Sequence, residues 1–242
     1  MTGEVLLDVR NIKKHFGGVQ ALDDISMQVF KNEILGIIGP NGAGKTTFFN
    51  CISGYLQPSS GEVFFMGKSI IKYKPHRINR MGMARTFQNG AIFPRMTVLE
   101  NIMTGLHGRC NAREQIRRAE YLAEYVGLAE RVNEPAMDLP HGLQSRLQIA
   151  IGLATNPKLL LLDEPAAGMS PDETRDLMDF IAELPNMGVT VCLIEHNMDV
   201  IMNICNRIFV LNLGRKLAEG VPEEIKSNPE VIKAYLGRGY VA

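Results

Sequence analysis

The sequence lacks the features that define membrane-spanning, secreted and nucleic-acid-binding proteins. No window of about 18 residues is free of charged or strongly polar side chains, so we expect no membrane span. The 26 basic and 26 acidic side chains leave no net charge, which argues against a nucleic-acid partner or a membrane-surface patch. The N-terminus has early acidic residues and lacks the basic-then-apolar pattern of a secretory signal. Any role at a membrane is therefore expected to depend on a partner.

The cysteines are few and scattered, with no C-x-x-C pair. Their spacing favours reduced, buried thiols over a disulfide framework or a zinc site, and it indicates a cytosolic chain. With 242 residues the chain is long enough for one large domain, or for one domain with a subdomain. No internal repeat, low-complexity tract or flexible linker interrupts it. The cysteines are Cys51, Cys110, Cys192 and Cys205.

The hydrophobic pattern alternates between strand and helix periods, which is typical of an α/β fold. Residues 5–9 and 25–29 alternate apolar and polar side chains. They predict half-exposed strands that form a sheet edge leading into a parallel core. Continuous apolar runs predict the buried strands of that core. These runs lie at residues 34–38, 159–162 and 189–194. Residues 97–128 change to helical spacing and predict a helical insertion.

A glycine-rich segment, GPNGAGKTT, follows the first buried run and precedes a helix-compatible stretch. It matches the phosphate-binding pattern G-x-x-x-x-G-K-[ST] at every fixed position. Glycines let the loop wrap a polyphosphate with its backbone N–H groups turned inward, and the helix adds its positive end. Lys45 is expected to reach the β- and γ-phosphates, and the Thr46 hydroxyl to bind Mg²⁺. The competing interpretation is a glycine-rich turn without a ligand. The predicted nucleotide-binding residues are Gly39, Pro40, Asn41, Gly42, Ala43, Gly44, Lys45, Thr46 and Thr47.

Two adjacent acids end the apolar run LLLLDE at residues 159–164. Open parallel sheets bind their ligands at the carboxyl ends of their strands, so this is a Walker B pattern. Asp163 is expected to hold Mg²⁺, directly or through water, and Glu164 to polarise the water that attacks the γ-phosphate. The alternative is that the two acids only cap the following helix.

Further segments lie in the order found in the ATP-binding cassette (ABC) transporter family, which the chain resembles over nearly its whole length. Phe16 in KHFGG resembles the aromatic residue that stacks on adenine. Gln88 in RTFQ resembles the Q-loop glutamine, which implies a role at the metal and the γ-phosphate. His196 in LIEH resembles the switch histidine. Taken singly, these residues have ordinary alternatives as a core aromatic, a solvated loop residue and a helix N-terminal residue.

The resemblance implies an α/β fold, namely a P-loop NTPase lobe of the ABC ATPase type with a mixed sheet and an inserted helical subdomain. Residues 1–242 would form a single nucleotide-binding domain, with the helical subdomain at about residues 90–155. In this family two cassettes pair head to tail around two ATP molecules, and the signature loop of one meets the γ-phosphate held by the other. ATP and Mg²⁺ are the implied cofactors.

The signature position departs from the family pattern Leu-Ser-Gly-Gly-Gln, because residues 139–144 read LPHGLQ. Leu139 and Gly142 match in place, and His141 offers charge only when it is protonated. Pro140 supplies neither a hydroxyl nor a backbone N–H, and Leu143 removes an amide. We therefore expect a weaker composite site and a different cassette as partner, in a heterodimer. A homodimer remains an alternative, and so does a signature loop that binds phosphate through its backbone N–H groups alone.

Several segments resemble one branch of the family, the ATP-binding subunits of branched-chain amino acid importers. They are FGGVQALDD, EPAAGMSP, LIEHNMD and the tail NPEVIKAYLG. This resemblance implies an ATPase that powers uptake of hydrophobic amino acids through two separate membrane permease subunits, together with a substrate-binding protein. The chain would lie at the cytoplasmic face of the inner membrane. Transport of urea, amides or lipopolysaccharide remains an alternative, and so does a regulatory ABC ATPase without a transport role.

Overall fold

Two β-sheets and the helices around them make up the fold, which a computed structural model describes for residues 3–86 and 92–236. The strands are β1 Val5–Phe16, β2 Val19–Phe30, β3 Ile34–Ile38, β4 Ser60–Phe65, β5 Lys68–Ser69, β6 Met83–Arg85, β7 Leu159–Asp163, β8 Thr190–Ile194, β9 Arg207–Asn212 and β10 Arg215–Gly220. The helices are α1 Lys45–Ile52, α2 Pro75–Met81, α3 Val98–Leu106, α4 Ala112–Tyr125, α5 His141–Ala154, α6 Pro171–Ala182, α7 Met198–Ile204, α8 Pro222–Ser227 and α9 Pro229–Leu236.

The larger sheet is mixed and has six strands in the order β10-β9-β3-β8-β7-β6. β3 pairs in parallel with both β8 and β9, and the parallel pairing continues through β7 to β6. β10 pairs antiparallel to β9 at one edge. The three continuous apolar runs are the central strands β3, β7 and β8, and every residue of these strands is buried. The predicted mixed α/β sheet is confirmed.

The first two strands lie in a second sheet, which has four antiparallel strands in the order β2-β1-β4-β5. The expectation that they form the edge of the parallel core is therefore wrong. β1 has an antiparallel partner on each side, because Asp8 is opposite Gln28 of β2 and Phe64 of β4. Periodicity predicted strands with one buried face correctly, but it does not identify the neighbour with which a strand pairs.

Alternate residues of the central strands feed two hydrophobic cores, because successive side chains of a strand point to opposite faces. Leu35 and Ile37 of β3 contribute to the inter-sheet core, which lies between the two sheets and contains Phe48 and Phe49 of α1. Ile34 and Ile38 of β3 contribute to the helix-side core on the other face. The carboxyl ends of β3, β7 and β8 therefore lie between two buried layers, which fix the residues that follow these strands.

The predicted helical stretch contains α3 and α4. α3 begins with a capping box in which the Glu100 N–H donates to Thr97 Oγ1 at 3.2 Å and the Thr97 N–H donates to Glu100 Oε2 at 2.8 Å. Val98, Ile102 and Leu106, which show the four-residue spacing in the sequence, are all buried in the helix-side core. α3, α4 and α5 pack against one another. The extent of a helical subdomain at about residues 90–155 stays a prediction.

The cysteines are free thiols, as the sequence predicted. Cys51, Cys192 and Cys205 are buried, and Cys110 is partly exposed. Burial raises the pKa of Cys51 to about 11 and that of Cys205 to about 12. These buried thiols therefore stay protonated and unreactive at neutral pH. Within the described ranges, no helix has both the length and the apolar character that crossing a bilayer requires.

Candidate functional site: a phosphate loop beside two strand ends

The glycine-rich loop connects β3 to α1, and its glycines meet two different demands. Gly44 directly precedes α1 with φ 101°, a left-handed conformation that glycine adopts without strain. A Cβ atom at Gly39 would lie 2.2 Å from the carbonyl oxygen of Leu211 in β9, so a side chain there would collide with backbone. Among the residues that the structure describes, no side chain caps the first turn of α1. The N–H groups of that turn are therefore directed toward the loop, which is the arrangement that binds phosphate.

Lys45 extends its ammonium group back along the loop. Its Nζ donates to the carbonyl oxygen of Gly39 at 2.7 Å and to that of Pro40 at 3.3 Å. The residue is 6% exposed. Burial lowers the pKa of Lys45, and the negative charges of Glu164 and Asp163 partly oppose that shift. Lys45 thus places a positive charge near both the loop and the two acids at the carboxyl end of β7, where a phosphate would carry negative charge.

A cleft of about 550 Å³ opens beside this loop. Its volume lies in the usual range of small-ligand sites. It brings together most of the loop residues that the sequence singled out with both Glu164 and His196. The lining residues are Val19, Gln20, Ala21, Asn41, Gly42, Ala43, Gly44, Lys45, Thr46, Thr47, Glu164, His196, Leu213 and Gly214. Gly39 and Pro40 shape the loop behind the cleft and do not line it.

Asp163 ends β7 and forms a buried ion pair that the sequence did not suggest. Arg85 Nη2 donates to Asp163 Oδ2 at 2.9 Å, and the two side chains are only 5% and 4% exposed. Arg85 Nη1 also donates to Asn50 Oδ1 and Ser53 Oγ of the α1 region, at 2.7 and 3.0 Å. Burial raises the pKa of Asp163, while the charge and hydrogen bond of Arg85 oppose the shift. Arg85 therefore holds this carboxylate in place from β6.

The second oxygen of Asp163 fits a metal ion. Among the described residues, Asp163 Oδ1 is buried and has no hydrogen-bond partner. A buried carboxylate oxygen without a donor is costly, and an oxygen of this type is the ligand that Mg²⁺ prefers. Thr46 lines the adjacent cleft. The residues present thus suit the divalent cation that the sequence pattern predicted.

Glu164 lies next to His196 at the carboxyl ends of β7 and β8. Glu164 Oε1 and His196 Nε2 are 2.5 Å apart. The backbone of Glu164 is left-handed, with φ 50°, and its N–H donates to the carbonyl oxygen of Ile194 at 2.9 Å. A non-glycine residue with this backbone is strained, and such strain concentrates at functional sites. The predicted water-activating acid and switch histidine are therefore neighbours that face the phosphate loop.

Glu195 is a second acid that sequence reasoning missed. It is buried, and its two carboxylate oxygens accept the backbone N–H groups of Ala166 at 3.0 Å and of His196 at 3.2 Å. Burial raises its pKa, and both hydrogen bonds oppose that shift. It joins the segment after β7 to the segment after β8. For Glu195 the available signal was a carboxylate at the end of a buried strand. For Arg85 it was the charged first residue of RTFQ.

Phe16 and Gln88 are two binding residues predicted from the family resemblance outside the loop and the strand ends. Phe16 ends β1, is 50% exposed, and has Lys14 Nζ 5.1 Å from its ring centroid. It does not line the cleft, although Val19, which follows the same turn, does. Stacking of Phe16 on adenine stays a prediction. Gln88 lies outside the described residues, so its predicted metal and γ-phosphate contacts also stay a prediction.

The signature residues lie apart from the chain's own phosphate loop. Leu139 is buried, and His141 and Gly142 begin α5. None of the three lines the cleft. A Cβ atom at Gly142 would lie 3.5 Å from Glu173 Oε1 of α6, so a carboxylate borders the signature turn. The charge of His141 contributes to a lowered pKa of Glu173, after the larger effect of its hydrogen bonds to Ser170.

A comparison with known protein families finds one family model that spans both the phosphate loop and the acids at the end of β7. A family model described as ABC transporter matches residues 22–167. The chain belongs to the ABC transporter family. This ABC ATPase binds and hydrolyses ATP. A second family model, described as branched-chain amino acid ATP-binding cassette transporter, matches residues 215–241.

Individual relatives of this ABC ATPase match it over nearly its whole length. It is 41% identical to LivG of Escherichia coli K12, a high-affinity branched-chain amino acid transport ATP-binding protein, over 96% of this chain and 98% of the relative. It is 42% identical to BraF of Pseudomonas aeruginosa PAO1, which has the same description, over 96% and 98% of the two chains.

Solved structures of cassettes share its fold. A nucleotide-free ATP-binding cassette from an ABC transporter superposes with a TM-score of 0.88 at 33% identity, covering 96% of this chain and 98% of that one. An ATP-binding cassette in a dimeric post-hydrolysis state with ADP and Pi gives a TM-score of 0.80 at 25% identity, covering 90% and 99%. The similarity extends well beyond the motifs, because each superposition covers at least 90% of this chain.

Proposed function

We propose that this ABC ATPase powers the import of branched-chain amino acids through separate membrane permease subunits. The observation that carries the proposal is the similarity to LivG, at 41% identity over 96% of the chain. The family model that matches residues 215–241 carries the same substrate class in its description. The cleft supports the energy-coupling part of the proposal, because it joins the phosphate loop to Glu164 and His196. A substrate-binding protein would deliver the amino acid to the permease, and no nucleic acid takes part.

In this proposal, ATP binds with its phosphates in residues 39–47 and its adenine against Phe16. Thr46 and Asp163, with Gln88, would hold Mg²⁺, which neutralises phosphate charge when it is bound. Glu164 takes up the proton of the attacking water as general base. His196 orients the Glu164 carboxylate through the 2.5 Å contact and reaches the γ-phosphate. Glu195 accepts hydrogen bonds from the N–H groups of Ala166, in the segment after β7, and of His196. It therefore fixes the position of His196 relative to that segment.

A second cassette completes each site in the proposed complex. Leu139, His141 and Gly142 lie away from the chain's own cleft, as expected for residues that act on a partner's nucleotide. The carboxylate of Glu173 beside Gly142 adds negative charge where a phosphate would approach. Together with Pro140, this arrangement favours a weak site on the partner. The complex would therefore be a heterodimer of cassettes, bound to two permease subunits at the cytoplasmic face of the inner membrane.

Loss of this chain is expected to abolish high-affinity uptake of labelled leucine by intact cells. The control is a cell that produces the Glu164→Gln variant, which should leave uptake as low as in the deletion, whereas the unaltered chain should restore it. Uptake of labelled urea and of an amide is measured in parallel. Leucine uptake at the wild-type rate in the deletion, with loss of urea or amide uptake, would assign the transporter to a different substrate.

Restoring the family signature is expected to raise ATP turnover of the reconstituted complex. The variant carries Pro140→Ser and Leu143→Gln, which return a hydroxyl, a backbone N–H and an amide to the loop. One donor to a developing phosphate charge is worth a factor of about 10² to 10³ in rate, so even partial recovery is measurable by phosphate release. The matched control, Met137→Gln, changes an exposed residue of the preceding turn. Unchanged turnover would mean that the backbone of residues 141–142 already suffices.

A further inference from the structure

A buried asparagine of α3 binds the loop that precedes its own helix. Asn101 is 0% exposed. Its Oδ1 accepts the N–H of Phe93 at 2.7 Å. Its Nδ2 donates to three carbonyl oxygens, those of Phe93 at 3.0 Å, Met96 at 3.2 Å and Thr97 at 2.9 Å. The side-chain amide therefore satisfies backbone groups at both ends of residues 93–97.

These hydrogen bonds hold a loop that has little hydrophobic support. Residues 93–97, all of which the structure describes, include no buried residue. Phe93 itself is 52% exposed. The position of the loop therefore depends mainly on its polar contacts. The Asn101 amide makes these contacts strong, because breaking one of its bonds would leave a desolvated polar group unpaired.

Backbone hydrogen bonds join this loop to the segment that precedes the signature. Thr97 and Pro135 form an isolated antiparallel bridge. The neighbouring bonds run from the N–H of Ala136 to the carbonyl of Met96 at 2.9 Å, of Met137 to Pro94 at 3.0 Å, of Val98 to Glu134 at 3.0 Å and of Leu99 to Val132 at 3.0 Å. We call residues 93–99 and 132–137, joined by these bonds, the clasp.

The signature, residues 139–144, follows the clasp directly. Residues 136–138 form one 3₁₀ turn between the two. Leu139 is 4% exposed and lies in the helix-side core, together with Val98 and Ala136 of the clasp. A shift of the clasp would therefore move Leu139 and the start of α5 with it.

We propose that Asn101 is a positioning residue for the signature, which it fixes through the clasp, and that it thereby sets the affinity of the partner cassette for ATP. Asn101 does not touch a nucleotide, and it does not line this chain's own cleft. The inference rests on the proposed function, in which the signature of this chain meets the phosphate that a second cassette holds. It assigns to α3 a role in nucleotide binding that no motif of the sequence indicated.

The test measures ATP binding by each cassette separately, in the complex purified with its permease subunits. A photoreactive azido-ATP labels the chain whose phosphate loop holds it, and electrophoresis separates the two cassettes. Asn101→Leu keeps much of the side-chain volume but can neither donate nor accept. The concentration for half-maximal labelling of the partner should rise about 10-fold, the lower end of what one hydrogen bond to a charged group contributes. Labelling of this chain should stay within twofold.

Asn111→Leu is the matched control, on the N-terminal cap of α4. Asn111 Oδ1 accepts the Glu114 N–H at 3.0 Å, and among the described residues it has no hydrogen bond to the clasp. Its loss should lower the melting temperature and change neither labelling curve. A lower melting temperature for Asn101→Leu with both curves unchanged would assign Asn101 a packing role only and overturn the proposal. An equal change in both chains would also overturn it.

Amide hydrogen exchange tests the clasp in the unaltered chain, without any substitution. The N–H groups of Phe93, Ala136 and Met137 should exchange slowly, and Asn101→Leu should make all three exchange faster. Exchange at the rate of an exposed loop in the unaltered chain would contradict the proposal.

Gly142→Asp separates this inference from the proposed function. It places a carboxylate in the signature turn, where the partner's phosphate would approach, and should weaken labelling of the partner more than Asn101→Leu does. If Gly142→Asp acts on the partner and Asn101→Leu does not, only the role of Asn101 fails. If neither substitution changes labelling of the partner, the composite site fails and the role of Asn101 fails with it.

Discussion

Glu164→Gln is expected to lower ATP hydrolysis by a factor of about 10² to 10⁴, which is the usual contribution of a general base. The amide cannot take a proton from water, but it has the shape of the carboxylate and keeps an oxygen that can accept from His196. Binding of ATP should therefore be retained, because the phosphate loop and Lys45 are unchanged. The measurements are steady-state phosphate release and the Kd of ATP.

The matched control is Asp172→Asn, which removes an acid from the exposed first turn of α6. Its hydrolysis rate should stay within twofold of the unaltered chain. Hydrolysis at the original rate in Glu164→Gln would show that another group activates the water. Loss of both hydrolysis and ATP binding would point to disturbance of the strained backbone at this position.

Arg85→Met is expected to lower the free energy of unfolding by about 3 to 5 kcal/mol, the range measured when one partner of a buried ion pair is removed. Methionine fills much of the arginine volume but leaves the Asp163 carboxylate buried without its cation. The hydrogen bonds to Asn50 and Ser53 are lost as well. Urea denaturation, followed by circular dichroism, measures the change.

The double variant Arg85→Met with Asp163→Asn should recover part of that loss, because the uncompensated charge disappears. Arg175→Met provides the surface control. Its partner Asp172 lies at 3.4 Å, both side chains are largely exposed, and such pairs contribute about 0 to 1 kcal/mol. A loss below about 1 kcal/mol for Arg85→Met would mean that water or backbone groups compensate Asp163.

The buried strands were predictable because a continuous apolar run is stable in a folded chain only where both faces of the strand are covered. β3, β7 and β8 follow those runs closely. The pairing of β1 was not predictable, because its alternating pattern suits an edge of either sheet. Its assignment to the four-stranded sheet depends on β4, which lies far along the chain and has no local sequence signal for its partner.

The residues of the candidate site also fall into those that the sequence predicted and those that it did not. The loop at residues 39–47 and the two acids at the carboxyl end of β7 were found because they form contiguous patterns at strand ends. Arg85 was not, since its contact is with Asp163, a residue distant in sequence. An arginine at a strand end is an ordinary feature of a sequence, and only the fold shows that Arg85 positions the Asp163 carboxylate.

Glu164 has a left-handed backbone, with φ 50°. Thermal stability and the proposed catalysis therefore favour different residues at this position. A residue with a Cβ atom in this conformation costs roughly 1 to 2 kcal/mol, and glycine avoids that cost. Laboratory selection for thermal tolerance alone would therefore enrich glycine here and discard the carboxylate that we propose as the general base. Libraries aimed at a more robust variant of this enzyme should keep codon 164 fixed.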